Sequence, residues 1–207
     1  MLTRYYQKIR AQVQDSLAPG YDPFEFMTSR VFTLSMASVD ATTLKVYKNK
    51  VQVINVTGTI YYTFDSSSKQ VTFTSSCALV AGDLIECYYN GYEKYTDNEL
   101  HDYILSAIVR LSAEDYYTFA LREDGVIFPV PVESDENLIC LIASILMDNN
   151  ISRYRTQEIE IQFAGNESES QRIDKILRKW KKCYGTYDYI KFKWNIIPFD
   201  SSFGNLH

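Results

Sequence analysis

The sequence predicts an α+β fold: a small antiparallel β-sandwich or barrel domain, then a helical domain with an extended C-terminal arm. Three observations carry that prediction. Between residues 30 and 92 the chain runs in short segments rich in Val, Ile, Thr, Tyr and Phe, broken by Asn, Gly, Asp and Ser, which is the pattern of strands joined by tight turns. At Thr96 a capping signature appears, with Glu99 placed three residues on to reach back to the Thr96 amide. Past that point the apolar spacing becomes helical.

Taken in order, residues 2–17 place Leu2, Tyr5, Tyr6, Ile9, Val13 and Leu17 near helical spacing, and Pro19-Gly20 is the expected stop. Pro23, Phe24, Phe26 and Met27 read as an extended linker. Strands are expected at 31–35, 43–48, 51–55, 59–65, 70–74 and 84–89. Turn signals separate them at Lys48-Asn49-Lys50, at 65–68 and at Ala81-Gly82-Asp83. The helix from Thr96 carries Leu100, Ile104, Ala107, Ile108 and Leu111 on one face and is expected to run on through Tyr116 and Phe119 to Asp124-Gly125. An extended crossing at 128–132 leads to a second helix capped by Ser134, apolar around most of its circumference from Leu138 to Met147. Residues 157–163 alternate as a half-exposed strand or arm, with Ile159, Ile161 and Phe163 on its apolar side. A third helix opens at 166–170 with the stripe Ile173, Ile176, Leu177 and Trp180. Strict alternation at 190–196 then gives a terminal strand bearing Ile190, Phe192, Trp194 and Ile196, before a polar tail that contains Phe199 and Phe203. Domain boundaries follow at 1–29, 30–94, 95–185 and 186–207.

Composition narrows the function. With 207 residues, 46% hydrophobic and 23% charged, the chain can build its own core. A net charge of -5 argues against a surface devoted to neutralising phosphates. Four scattered cysteines, Cys77, Cys87, Cys140 and Cys183, with two histidines, form no metal-ligand spacing and are expected as reduced thiols. A disulfide between Cys77 and Cys87 is the geometric alternative. The polar first ten residues suggest no signal peptide, and no apolar run has membrane-spanning length, so a soluble chain made in the cytoplasm is expected. Carboxylates cluster at Asp97, Glu99 and Asp102 and at Glu158 and Glu160, yet no histidine or glycine-rich loop accompanies them in a catalytic pattern, so no enzyme and no cofactor are expected. Tyrosine is in excess, 17 against 11 Phe and 2 Trp, which suits half-wet sheet faces and subunit interfaces.

The concentrated charge feature is Arg172, Lys175, Arg178, Lys179, Lys181 and Lys182, read first as the solvated face of the third helix or a contact for an acidic partner. The alternating segments at 159–163 and 190–196 offer strand edges to a neighbouring chain or to each other. Tyr61, Tyr62, Tyr88 and Tyr89 supply the alternative: a β-module recognising a carbohydrate or receptor.

The run from Tyr95 through Thr96, Asp97, Asn98, Glu99 and Leu100, followed by the apolar helix to Met147 and a C-terminal helix with an arm, resembles the head-to-tail connector or adaptor proteins of tailed bacteriophages. The resemblance covers about residues 95–207. Ahead of it, 31–92 is similar to small β-domains that decorate phage structural proteins, and this departs from adaptors that are almost wholly helical. Another tail or neck component therefore stays open. The resemblance implies a virion protein of the neck, a homo-oligomeric ring, commonly twelvefold, seated between portal protein and tail or neck proteins, with DNA passing through the lumen unbound and no membrane contact. Ile159, Ile161, Phe163, Arg178, Lys182, Ile190, Phe192, Trp194, Ile196, Phe199 and Phe203 are the expected partner-facing residues.

Overall fold

A computed structural model describes residues 2–114, 116, 118–148, 151–155 and 159–184. The fold is α+β, and the described residues form four helices and several antiparallel sheets. It divides into two units, residues 1–151 and 152–207.

In the first unit, α1 (Thr3–Gln12) buries Tyr5 and Ile9, and Val13 just beyond it. It ends earlier than its apolar spacing suggests. Gln14 turns left-handed at φ 55, and the Asp15 amide donates to the Arg10 carbonyl at 2.9 Å, which closes the last turn. Pro19 and Gly20 fall instead within β1 (Ala18–Glu25), which pairs along its whole length with β7 (Leu84–Tyr92). The segment expected as a linker is thus a strand of the main sheet. Separate domains at 1–29 and 30–94 give way to one body.

That sheet has the order β1-β7-β3-β4, with β3 (Ser38–Lys48) and β4 (Val51–Val53) joined by a two-residue turn. Asn49 and Lys50 both take positive φ, the geometry that matches the twist of a tight hairpin. A second sheet has the order β2-β6-β5, from β2 (Val31–Thr33), β5 (Tyr62–Asp65) and β6 (Gln70–Phe73). Its hairpin turn is held by Asp65, whose carboxylate accepts from the hydroxyls of Ser68 and Ser67, both at 2.7 Å. Those bonds hold its pKa down to about 2. The two sheets share one hydrophobic cluster, in which Phe32, Val71 and Phe73 meet Val46, Ile85, Cys87 and Tyr89. Neither sheet closes into a barrel. Gly91 sits where strand β7 passes under the 36–38 segment: a Cβ there would lie 2.5 Å from the Ser38 carbonyl oxygen and 2.6 Å from Met36 Sδ.

The capping box at the start of α2 (Asp97–Ala113) is present in full. Glu99 N donates to Thr96 Oγ1 at 3.1 Å, and Thr96 N donates to the Glu99 carboxylate at 2.8 Å. Leu100, Ile104, Ala107, Ile108 and Leu111 are all buried. Helix α2 stops at Ala113, short of the expected extension to 124. A two-stranded hairpin of β8 (Ala120–Leu121) and β9 (Ile127–Phe128) follows, turning at Gly125 with φ 73. Helix α3 (Glu133–Met147) begins one residue before the expected Ser134 cap, with Val132 at the cap position and no side-chain cap bond. Its Leu138, Ile139, Leu141, Ile142 and Ile145 are buried, as its all-round apolar pattern requires. The first three helices pack on one another. Lys8 Nζ bonds the Glu136 carboxylate and the Asn137 side-chain oxygen across the α1 and α3 faces, and Ser144 Oγ donates to Gln12.

A buried clasp ties the helices to the sheet. Arg10, on α1, bonds the Asp15 carboxylate and, at 2.7 Å, Asp97 Oδ1 in the first turn of α2, while its guanidinium stacks 3.8 Å over the Tyr92 ring of β7.

The second unit contains β10 (Arg153–Arg155), β11 (Glu160–Gln162) and α4 (Glu169–Tyr184). Ser168 and Gln171 cap α4 reciprocally, amide to side chain, at 3.3 and 2.9 Å. Helix α4 belongs to the second unit with β10 and β11, while α2 and α3 belong to the first, so the boundary at 151 falls inside the stretch 95–185 expected as one helical domain. The strand and tail expected at 186–207 lie outside the described residues.

Candidate interaction surface

The solvent face of the main sheet carries the most distinctive constellation. Strand β7 alternates: Ile85, Cys87 and Tyr89 point into the core, while Glu86 and Tyr88 share the opposite face. Register then assembles the neighbours. Tyr88 lies opposite Tyr21 of β1 and Lys45 of β3, and Glu86 lies opposite Tyr47. The Tyr88 ring packs against Tyr21 at 4.8 Å between centroids, tilted by 38°, and edge-on against Tyr47 at 5.5 Å and 83°. Both Tyr21 and Tyr88 hydroxyls donate to Glu86 Oε1, at 3.1 and 3.3 Å.

This gives a tyrosine platform, 48% exposed at Tyr21 and 44% at Tyr88, around a glutamate that is only 9% exposed. Loss of water raises the pKa of both phenols, and the adjoining Glu86 raises it further, so the hydroxyls stay protonated and keep donating. Among the described residues Glu86 has no lysine or arginine within ion-pair distance. Chemically the surface offers aromatic faces for stacking and a negative charge without a counterion.

The four tyrosines expected to form a ligand face do not form one. Tyr89 is buried on the inner side, bonded to the Asp22 carboxylate and to Ser35, whereas Tyr88 faces solvent. Tyr61 and Tyr62 pack partly buried against the shared cluster. Adjacent residues of a strand point to opposite faces, a periodicity that separates Tyr88 from Tyr89 and would have grouped Tyr88 with Glu86. Tyr21 and Tyr47 could join them only through long-range register, which a sequence does not display.

In the second unit, Ile159, Ile161 and Phe163 are buried, and β11 is paired with β10. Buried within the chain itself, these side chains present almost no surface of their own to a partner. The basic run also divides. Arg172 is buried, bonded to the Ala164 and Glu167 carbonyls and stacked on Phe163. Lys175 pairs with Glu167 at 2.7 Å, which holds the Glu167 carboxyl below its usual pKa, and Lys179 bonds the Glu160 carbonyl. Arg178 and Lys182 stand exposed one turn apart on α4. An open depression of about 620 Å³ runs beside them, lined by Glu167, Gln171, Asp174, Lys175, Arg178 and Lys179 among others. Its mixture of acids and bases leaves no concentrated field for an anion. Ile190, Phe192, Trp194, Ile196, Phe199 and Phe203 lie outside the described residues.

Further apolar surface is exposed at Ile54, Val56 and Ile60, around a turn at Gly58, and at Leu105 and Val109 on α2. The thiols of Cys87 and Cys140 are buried and pushed up to about 12 by loss of water, so neither is a ready nucleophile. Among the described residues no three His, Cys, Asp or Glu side chains come together to hold a metal, and no helix is long and apolar enough to cross a membrane. The sequence matches no protein-family model and no curated protein.

Proposed function

We propose that this protein is a non-enzymatic structural component of a tailed-phage neck, a ring-forming adaptor that joins portal to tail. The supporting observation is the tyrosine platform around Glu86: large aromatic side chains held outward on a rigid sheet, beside a carboxylate with no counterion among the described residues. Such surfaces gain most when another protein covers them. Exposed Leu105 and Val109 on α2 add to the area available for neighbours. The first 151 residues hold 11 Lys and Arg against 19 Asp and Glu, a balance of -8. In a ring, such acidity facing the lumen would let DNA slide past without being gripped.

The test is particle mass by light scattering, with low-resolution imaging, of the chain alone and mixed with portal. A closed ring, commonly of twelve subunits, is the expected product, bound to portal when portal is present. A chain that stays monomeric in both samples sinks the adaptor reading.

One observation favours a second reading. Exposed tyrosines beside a hydrogen-bonding carboxylate also suit a sugar, whose C–H face stacks on aromatic rings while its hydroxyls bond the acid. Glycan binding that disappears in Tyr21→Ser and Tyr88→Ser, with no ring formed, would select that reading over the first.

A further inference from the structure

The two units of this chain carry opposite charge: residues 1–151 sum to -8, and residues 152–207, with 10 Lys and Arg against 7 Asp and Glu, sum to +3. Each unit also presents a small set of side chains with no counterion among the described residues. On the sheet face these are Glu86 and Glu25. Glu25 lies opposite Leu84 on the β1 and β7 ladder, which puts it diagonally next to Glu86, about 7 Å away as such neighbours stand. On α4 they are Arg178 and Lys182, exposed and four residues apart, about 6 Å between their Cβ atoms by helix geometry. None of these four makes an ion pair among the described residues. Two acids and two bases therefore stand at matching intervals on two different parts of the same chain.

We infer that α4 of one copy docks on the tyrosine platform of the next, with Arg178 over Tyr21 and Tyr88 against Glu86, and Lys182 toward Glu25. This rests on the ring reading above and names its contact. Arginine suits the site because its flat guanidinium stacks on tyrosine while its N–H groups reach a carboxylate. Glu86 is already oriented by two tyrosine hydroxyls, so little order is lost when the cation arrives. Lys45, opposite Tyr88 on the same face, repels a basic helix from that side and directs its approach toward β1. Because the surfaces differ, the contact is head-to-tail: each copy gives one and receives one, and closure of the series makes a ring.

The experiment uses the full chain with two variants, Glu86→Gln/Tyr88→Ser on the platform and Arg178→Glu/Lys182→Glu on the helix, followed by sedimentation velocity. Wild type is expected to self-associate at low salt and to weaken as salt rises. Either variant alone should lose association by about 30-fold or more, the scale for breaking a desolvated charge pair. Mixing the two variants is the decisive arm. Each supplies the surface the other lacks, so a species of two chains should form and grow no further. Should the platform variant fold poorly in circular dichroism, the helix variant titrated into wild type serves instead, capping growth at short chains.

A wild type that stays monomeric, variants that associate like wild type, or a mixture without the two-chain species overturns the contact. Rings that still assemble on portal with both variants would overturn the contact while leaving the adaptor reading intact. Absence of rings on portal from wild type would instead remove the reading itself.

Discussion

Replacing Arg10 with Met tests how the helices are joined to the sheet. The guanidinium and the Asp15 carboxylate are both buried, with side chains 3% and 1% exposed, whereas Asp97, its second partner, is 58% exposed. Deleting the cation therefore strands one charge in the interior, which costs about 3–5 kcal/mol when a buried pair loses one member. The exposed half of the network adds little, about 0–1 kcal/mol for a solvent-facing pair. Stacking on Tyr92 contributes roughly 1 kcal/mol, and methionine recovers part of it. Asp15 keeps a 3.3 Å bond from the Lys94 amide, too weak to neutralise it. In urea titrations followed by circular dichroism, R10M should lose about 3–5 kcal/mol, and Asp97→Asn no more than about 1 kcal/mol. The double variant Arg10→Met/Asp15→Leu removes both charges and should recover most of the loss, because an apolar pair of similar volume is often as stable as a buried ion pair. If R10M costs less than about 1 kcal/mol, or the double variant is as unstable as the single one, the reasoning about a stranded carboxylate is wrong.

Other outcomes follow from the same geometry. Thr96→Ala removes a cap acceptor from α2 and should cost about 1 kcal/mol in chemical denaturation at neutral pH. Hydrogen bonds from Thr96 hold the Glu99 pKa below its ordinary value, so its contribution is present above the usual carboxylate range and lost as pH falls through the lowered value; Glu99→Gln should flatten that acid limb of a stability-against-pH curve. Asp135 behaves oppositely, since burial raises its pKa and its charged form is the costly one. The stability tied to its protonated form is present below the unfolded pKa and lost as pH rises through the folded one. Asp135→Asn should therefore raise the melting temperature at neutral pH and have no such effect in acid. Gly91→Ala would press a methyl group into the Ser38 carbonyl, a backbone atom with nowhere to go, and should cost about 1–3 kcal/mol in urea unfolding.

Local signals were legible in the sequence, and long-range pairing was not. The α2 start and its buried stripe followed from Thr96, Glu99 and a 3.6-residue period, and both are present residue for residue. Strand β1 was missed because Pro19, Gly20 and Pro23 argue against a strand, yet β1 is an edge, where a missing N–H costs no ladder bond. The extension of α2 failed because Asp124-Gly125 closes a hairpin and does not end a helix. Ile159, Ile161 and Phe163 read equally as an arm for a neighbour or as an inner strand face, since alternation gives the face and not what covers it. Arg172 belongs by spacing to the basic run, but it sits at the margin of the apolar stripe, where its stem is buried and its head finds carbonyls.

The two prolines of β1 carry a consequence for how copies can meet. A sheet ending in a regular strand invites lateral growth, each newcomer zipping onto the open rim and the next onto that, without limit. Here the rim is interrupted at Pro19 and again at Pro23 by nitrogens that have no hydrogen to offer. Backbone-to-backbone extension is discouraged along that side, so a neighbour must be recruited by side chains on the flat of the sheet, where geometry can stop the count.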